Sequence, residues 1–190
     1  MSAMFRTVSQ ALHFSYVLEQ YPPHAMSQMS SVIRTVKREM GVAEDSRTST
    51  VDLSGLSPLE ARHQCADIRA AVRQQLTTVE AHVLEARYSH DTMTKRDAVA
   101  AIAQYFLPLM TVSEDIVRAL TWRHYDTPDR QEKEWTFREI AASYQISKGK
   151  AQRSGEYLSH TIRVIENAAM DRLRDRFEMA GIVDVLQMAA

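Results

Sequence analysis

The two turns that follow Ser147 carry the most legible chemistry in this chain: Lys148, Gly149, Lys150, Gln152, Arg153 and Ser154. Lysine and arginine pair with phosphate oxygens, and a guanidinium or a carboxamide can bond two atoms of one base edge at once. From Ser147 to Arg163 the cations are Lys148, Lys150, Arg153 and Arg163 against Glu156 alone, within a chain of net charge −1. Positive charge is therefore gathered where the first turns of a helix could enter a major groove.

The elements that must position these groups are written into the preceding residues. Thr136 followed by Glu139 has the spacing of a capping box, so a helix is expected from Phe137. Phe137, Ile140, Ala141 and Tyr144 fall on one face of it, and the small Ala141 leaves room for a second helix to cross closely. Ile146 is placed to plug the corner. Ser147 is a preferred N-cap, so a new helix is expected at Lys148, with Ala151 turned back toward the first helix and the basic groups turned out. Two capped helices joined by so short a turn form the pattern of a DNA-binding helix-turn-helix; the same pattern also serves any compact helical bundle.

Upstream, Ser113 and the acidic pair Glu114-Asp115 open a supporting helix, with Ile116, Val117, Leu120 and Trp122 or Tyr125 at near-helical spacing. The order of these parts, through Arg123-His124-Tyr125, then Trp135-Thr136-Phe137-Arg138-Glu139-Ile140-Ala141, then Ile146-Ser147, resembles region 4 of sigma-70 factors and related response-regulator modules over residues 113–158. The intervening loop, residues 126–134, is longer and more charged than that family usually has. Asp67-Ile68-Arg69, the later Ala86-Arg87-Tyr88 and the downstream helix pair are, more loosely, similar to phage antitermination proteins of the Q type over about residues 57–177. That resemblance implies a phage- or prophage-encoded factor that binds promoter-proximal DNA and acts with RNA polymerase on elongation.

The remainder reads as helix after helix. Residues 5–19 place Phe5, Val8, Leu12 and Tyr16 on one side and stop before Pro22-Pro23. Residues 25–40 carry Met26, Met29, Ile33, Val36 and Met40 as a narrow seam, which suits an adaptable partner surface or an ordinary core stripe. Residues 41–55 are polar and turn-rich, a linker. Ser57-Pro58-Leu59-Glu60 starts a further helix, Thr78 is expected to cap another running to Tyr88, and Thr94 a fifth ending near Pro108. Val79, Val83 and Tyr88 recur at constant offset as Ile116, Leu120 and Tyr125, and Ile102-Ala103 returns as Ile140-Ala141, the mark of a degenerate repeat in which Pro108 stands where a reading helix would begin. Finally Leu158, Ile162, Ile165, Ala169, Leu173 and Phe177 extend the last helix until Gly181, a stripe that either the chain's own N-terminal helices or a second subunit must cover.

Composition agrees with this reading. With 190 residues, 45% hydrophobic, and only five glycines and five prolines, the chain is expected to be all-α: a helical bundle with a sigma-70 region 4-like helix-turn-helix and a long C-terminal helix. Three segments are expected: 1–56, an N-terminal helical part and linker; 57–112, a helical unit and candidate repeat; and 113–190, the helix-turn-helix with its extension. The single cysteine, Cys65, offers no disulfide framework, and the seven histidines show no pair at metal-ligand spacing with a carboxylate. No phosphate-cradling glycine loop or nucleophile elbow occurs, so no enzyme, metal or cofactor is expected. Apolar runs fall far short of the roughly 18 residues of a membrane span, and the first residues lack a secretion signal, so a cytoplasmic protein is expected. The expected partners are double-stranded DNA, RNA polymerase and, to pair two reading helices on half-sites, a second copy of the chain. The alternative is a helical protein-interaction module that docks on RNA polymerase or another protein without reading DNA, consistent with a sequence pI near 6.7.

Overall fold

Seven α-helices and no strand make up residues 4–20, 56–125 and 136–184, which the computed structural model describes. In chain order they are α1 (Val8–Glu19), α2 (Pro58–Gln75), α3 (Thr78–Tyr88), α4 (Thr92–Phe106), α5 (Glu114–Tyr125), α6 (Phe137–Ser143) and α7 (Lys148–Met179), with a 3-10 turn at Leu107–Leu109 after α4. The methionine seam of residues 25–40, the linker 41–55, the charged loop 126–134 and Trp135 lie outside the described residues. No helix of the described residues is long and apolar enough to cross a membrane.

Helix starts follow side-chain capping; one helix begins later than its apolar spacing predicts, and in two places the cap differs from the expected residue. Ser57 and Glu60 form the reciprocal box that starts α2, as their spacing predicts. At α1, however, the Thr7 hydroxyl accepts from the Gln10 amide, so the helix begins at Val8 and Phe5 lies outside it. At α3 the cap is Thr77 rather than Thr78: its amide and hydroxyl both donate to Glu80 Oε2, at 2.9 and 2.8 Å. At α4 Asp91 accepts from the Thr94 amide at 2.7 Å, which places Thr94 inside the first turn. At α1 and α4 a side-chain oxygen stands three residues before the amide it caps, whereas at α3 the Glu80 carboxylate reaches back to Thr77 from inside the first turn.

The helices gather into two compact units, which are not consecutive segments of the chain. One comprises Met1–Leu76, Tyr88–His90 and Met170–Ala190; the other Thr77–Arg87 and Asp91–Ala169. The expected linear segments therefore differ from the units in space, because the long α7 gives its first part to one core and its last turns to the other.

In the first unit α1 packs on α2. The Arg69 guanidinium of α2 donates to the Ser15 carbonyl at the middle of α1 and pairs with Glu19 at 3.3 Å. Phe5 reaches Phe14 with ring centroids 5.6 Å apart, its amide donates to Ile182 O and its carbonyl accepts from the Asp184 amide, so Phe5 and residues 182–184 meet in one short bridge to Val183. Gly181, at φ 65°, ends α7 by sending its own amide to Glu178 O and the Ile182 amide to Phe177 O. Leu173 and Phe177 are fully buried within the single chain, so its own elements cover this part of the stripe. Burial pushes the Cys65 thiol up to about 12, which keeps it protonated and unreactive.

The second unit holds the core that positions the candidate site. Val83 of α3, Val99, Ile102 and Phe106 of α4, Ile116, Val117 and Leu120 of α5, Ile140 of α6, and Ala151, Leu158 and Ile162 of α7 form one buried cluster. The two stretches related by the sequence offset are both helical, yet Tyr88 donates its hydroxyl to Ser9 Oγ in the first unit, while Tyr125 donates to Val83 O in the second. The tightest point is Gly155: a Cβ there would run into the Phe137 ring and stand 3.2 Å from Leu120 Cδ2. A polar group sits beside this core. Arg87 pairs with the buried Glu166 at 2.6 Å; burial raises the Glu166 pKa, Arg87 offsetting only part of the effect. Burial first, and then the Arg163 and Arg87 charges, push His124 down to about 4.

Two outcomes follow from this packing. Gly155→Ala gains about 1 kcal/mol of helix propensity but overfills the contact with Phe137, at a cost of about 1–3 kcal/mol. A net fall in the urea midpoint is expected, and an unchanged or raised midpoint would mean that the ring moves aside freely. For His124 the unfolded state takes a proton near pH 6.5 and the native state only near 4, so its stability is whole above 6.5 and falls toward 4. Glu166 acts in the opposite sense, its contribution being whole below its unfolded pKa near 4.5 and lost as pH rises through its elevated native value. The stability gap between the native chain and His124→Gln should then be widest at pH 7 and narrow by roughly 1 kcal/mol by pH 4.5, solvent screening at this half-buried ring keeping the figure small. A gap of constant width across that range would show that the ring protonates in the fold as easily as in water.

Candidate nucleic-acid interface

The short helix α6 is held at both ends by local hydrogen bonds. The Thr136 hydroxyl accepts from the Glu139 amide at 3.2 Å, and the Thr136 amide donates to Glu139 Oε2 at 2.5 Å. The Thr136 amide's bond to the ionised carboxylate, with the Thr136 hydroxyl beside it, holds the Glu139 pKa below the usual carboxylate range. Ile140 and Ala141 are buried, and the Arg123 guanidinium of α5 lies 4.1 Å from the centroid of the Phe137 ring, closing that ring from outside.

The turn out of α6 is built on one residue with left-handed backbone, Gln145, at φ 53°. Its amide reaches Ala142 O at 3.4 Å, and the next amide, from Ile146, reaches Ala141 O at 3.0 Å. These are the two bonds of a Schellman ending, which usually places glycine at the left-handed position. The Ile146 side chain packs half-buried against the core. Immediately afterwards Ser147 Oγ accepts from the Lys150 amide at 3.2 Å, so α7 begins at Lys148, where its spacing predicts.

The direction in which α7 faces is decided by its apolar residues. Ala151, Gly155, Leu158 and Ile162 recur at intervals of three and four and are all buried. The opposite side of the first turns therefore presents Gly149, Gln152 and Arg153, all exposed, joined by Glu156 and Tyr157. Of the six residues singled out in the sequence, these three share the outward side; Lys148, three residues before Ala151, is exposed at the helix start, while Lys150 and Ser154 are half-buried. Gln152 Nε2 donates to Glu156 Oε1 at 2.9 Å across one helical turn. Arg138 of α6 is also exposed.

Two residues of this region escaped the sequence reading. Gly155 sits four residues after Ala151 and three before Leu158, so its place in the buried stripe was available as a signal, but a glycine adds nothing to a hydrophobic count. Glu156 was read only as an isolated negative charge; its spacing of four from Gln152 is the signal for a pair on one face. Among the described residues no three His, Cys, Asp or Glu side chains gather as a metal-holding group.

The chain matches no protein-family model and no curated protein.

The left-handed turn residue gives a direct test of how firmly the corner is set. A side chain at positive φ costs about 1 kcal/mol relative to glycine, and glycine gives back part of that through unfolded-chain entropy. Gln145→Gly should leave the unfolding free energy from urea titration unchanged or raise it by up to about 0.5 kcal/mol, whereas Gln145→Val, β-branched at the same φ, should lower it by more than about 1 kcal/mol. If the valine variant were as stable as the glycine variant, this corner would not be left-handed in solution.

Proposed function

We propose that this chain is a sequence-specific DNA-binding transcription regulator that lays the first turns of α7 in the major groove. The single observation that carries the reading is the division of α7 into a fully buried stripe, Ala151, Leu158 and Ile162, and an outward side with Gln152 and Arg153, beside Lys148 exposed at the helix start. These are the side-chain types that bond phosphates and base edges, on the part of a helix that enters a groove. In this reading the half-buried Lys150 and the exposed Arg138 on α6 supply further positive charge for phosphates beside the groove. The preceding α6, its four-residue turn and the supporting α5 stand in the order of sigma-70 region 4. The looser likeness to antitermination proteins of the Q type points to a phage or prophage factor that acts together with RNA polymerase.

A second reading, a helical module that docks on RNA polymerase or another protein without reading DNA, is favoured by a different observation. Farther along α7 three large apolar side chains are exposed, Tyr157 at 49%, Val164 at 53% and Met179, its last residue, at 90%. A groove partner has little use for Val164, whereas a protein partner would cover it.

The two readings separate in a binding titration. With duplex fragments from the gene's own neighbourhood, the Lys148, Lys150 and Arg153 triple alanine variant should lose nearly all affinity. Each phosphate-contacting lysine removed should lower the slope of log affinity against log salt by about one. Arg153→Ala alone should cost about 1–3 kcal/mol and relax the sequence preference. If the triple variant binds duplex as the native chain does, α7 is not the reading helix. Retention of purified RNA polymerase by that same variant would then support the docking module.

A further inference from the structure

One pair on the outward face of α7 stands apart from the core. Gln152 and Glu156 are both exposed, and among the described residues their side chains bond to each other across one turn of their own helix. Glu156 is also the one carboxylate among four cations between Ser147 and Arg163, on the face that the DNA reading turns toward phosphates. A negative charge there weakens phosphate attraction, so its position calls for a compensating use.

We infer that Gln152 reads an adenine in the major groove and that Glu156 is the positioning residue that fixes its carboxamide for the purpose. The inference rests on the DNA-binding reading above and assigns its base preference. An exposed carboxylate only accepts hydrogen bonds, so the amide end of Gln152 must face Glu156, and this decides which way the planar group is turned. One of its two N–H groups is engaged at 2.9 Å. The other N–H and the carbonyl oxygen are the donor and acceptor that adenine N7 and N6 require, and glutamine bonds that edge in bidentate fashion. Freed of its carboxylate, the long side chain would sample several rotamers and both amide orientations, and ordering it would then weaken the contact.

A second observation on the same face agrees. Gly149, one turn before Arg153 and beside Gln152, is exposed, and a Cβ built on it would meet nothing within 4 Å. Its φ is not in the left-handed region, unlike Gly181. Glycine inside a helix costs about 1 kcal/mol relative to alanine, and no contact within the described residues requires the bare backbone. Close approach of a base edge to the helix does require it.

The test is a selection of duplex sites from a randomised pool by the full-length chain, followed by affinity measurements on the selected site. The native chain should select an A·T pair at a defined position, and replacing that adenine by 7-deazaadenine, which lacks the N7 acceptor, should weaken binding roughly 5- to 150-fold. Gln152→Ala should lose the same factor on the normal site and show no further loss with 7-deazaadenine. Glu156→Ala should relax this position alone, while Glu156→Gln, which keeps an acceptor at the same reach, should retain the preference. Gly149→Ala should raise thermal stability and weaken specific binding, a combination that a merely structural glycine would not give. Circular dichroism on each variant checks that the helices persist.

If Gln152→Ala keeps its adenine preference, or 7-deazaadenine has no effect on the native chain, the base assignment is wrong while DNA binding stands. A cytosine preference lost on Glu156→Ala would make Glu156 itself the reader and overturn its positioning role. Absence of binding to any duplex would remove the DNA reading and this inference together.

Discussion

The close approach of α7 to Phe137 and Leu120 at Gly155 is the constraint on which the candidate site depends. With no side chain at that position, the helix backbone comes against an aromatic ring of α6 and a leucine of α5 at once. This one contact sets the depth at which α7 lies in the core, and Ala151 one turn earlier and Leu158 one turn later fix its rotation. Rotation about the axis is what matters for Lys148, Gln152 and Arg153. A helix turned by one residue would swing its outward groups by about 100°, away from any surface that α6 could share. Packing interiors are dense and deform little, so the orientation of exposed groups is inherited from the buried ones.

The corner before α7 has the same character on a smaller scale. A left-handed Gln145, the amide of Ile146 returned to Ala141, and the Ser147 cap leave no spare residue between the helices. Each of these bonds satisfies a backbone group that a helix end would otherwise leave unpaired. The Phe137 ring, pressed by Gly155 from within and covered by the Arg123 guanidinium from outside, ties the turn to the supporting α5. Arg123 therefore serves packing, although it is basic and lies near the candidate interface.

Beside this apolar frame lies a small group of charged and titratable side chains: Arg87, His124, Arg163 and Glu166. The protein holds His124 neutral by burial and by cations nearby, and it places the buried Glu166 carboxylate against Arg87. Such groups contribute little net stability compared with an apolar filling. They do make the unit sensitive to acid through His124, and they fix the register of α3 against α7, because a guanidinium and a carboxylate must meet at bonding distance.

Local order was legible in the sequence. The Thr136 to Glu139 box, the Ser147 cap, the Ser57-Pro58 start and the Gly181 stop all act within a few residues, and the apolar stripe from Leu158 to Phe177 was visible as periodicity. Thr77 caps in place of Thr78, and Asp91 in place of Thr94, because polar residues close together could each cap and only the backbone geometry chose between them. Of the candidate interface, the residue types and their helix were determined by sequence. The tertiary structure decided which of them face outward, that Gly155 is a point of contact, and that Gln152 and Glu156 form a pair. It also decided that the end of α7 is covered by its own chain and that the compact units are not consecutive segments. The physical reason is one of range: caps and periodicity are set by bonds spanning three or four residues, whereas burial, rotation and close approach depend on residues far apart in the chain that meet only in the folded core.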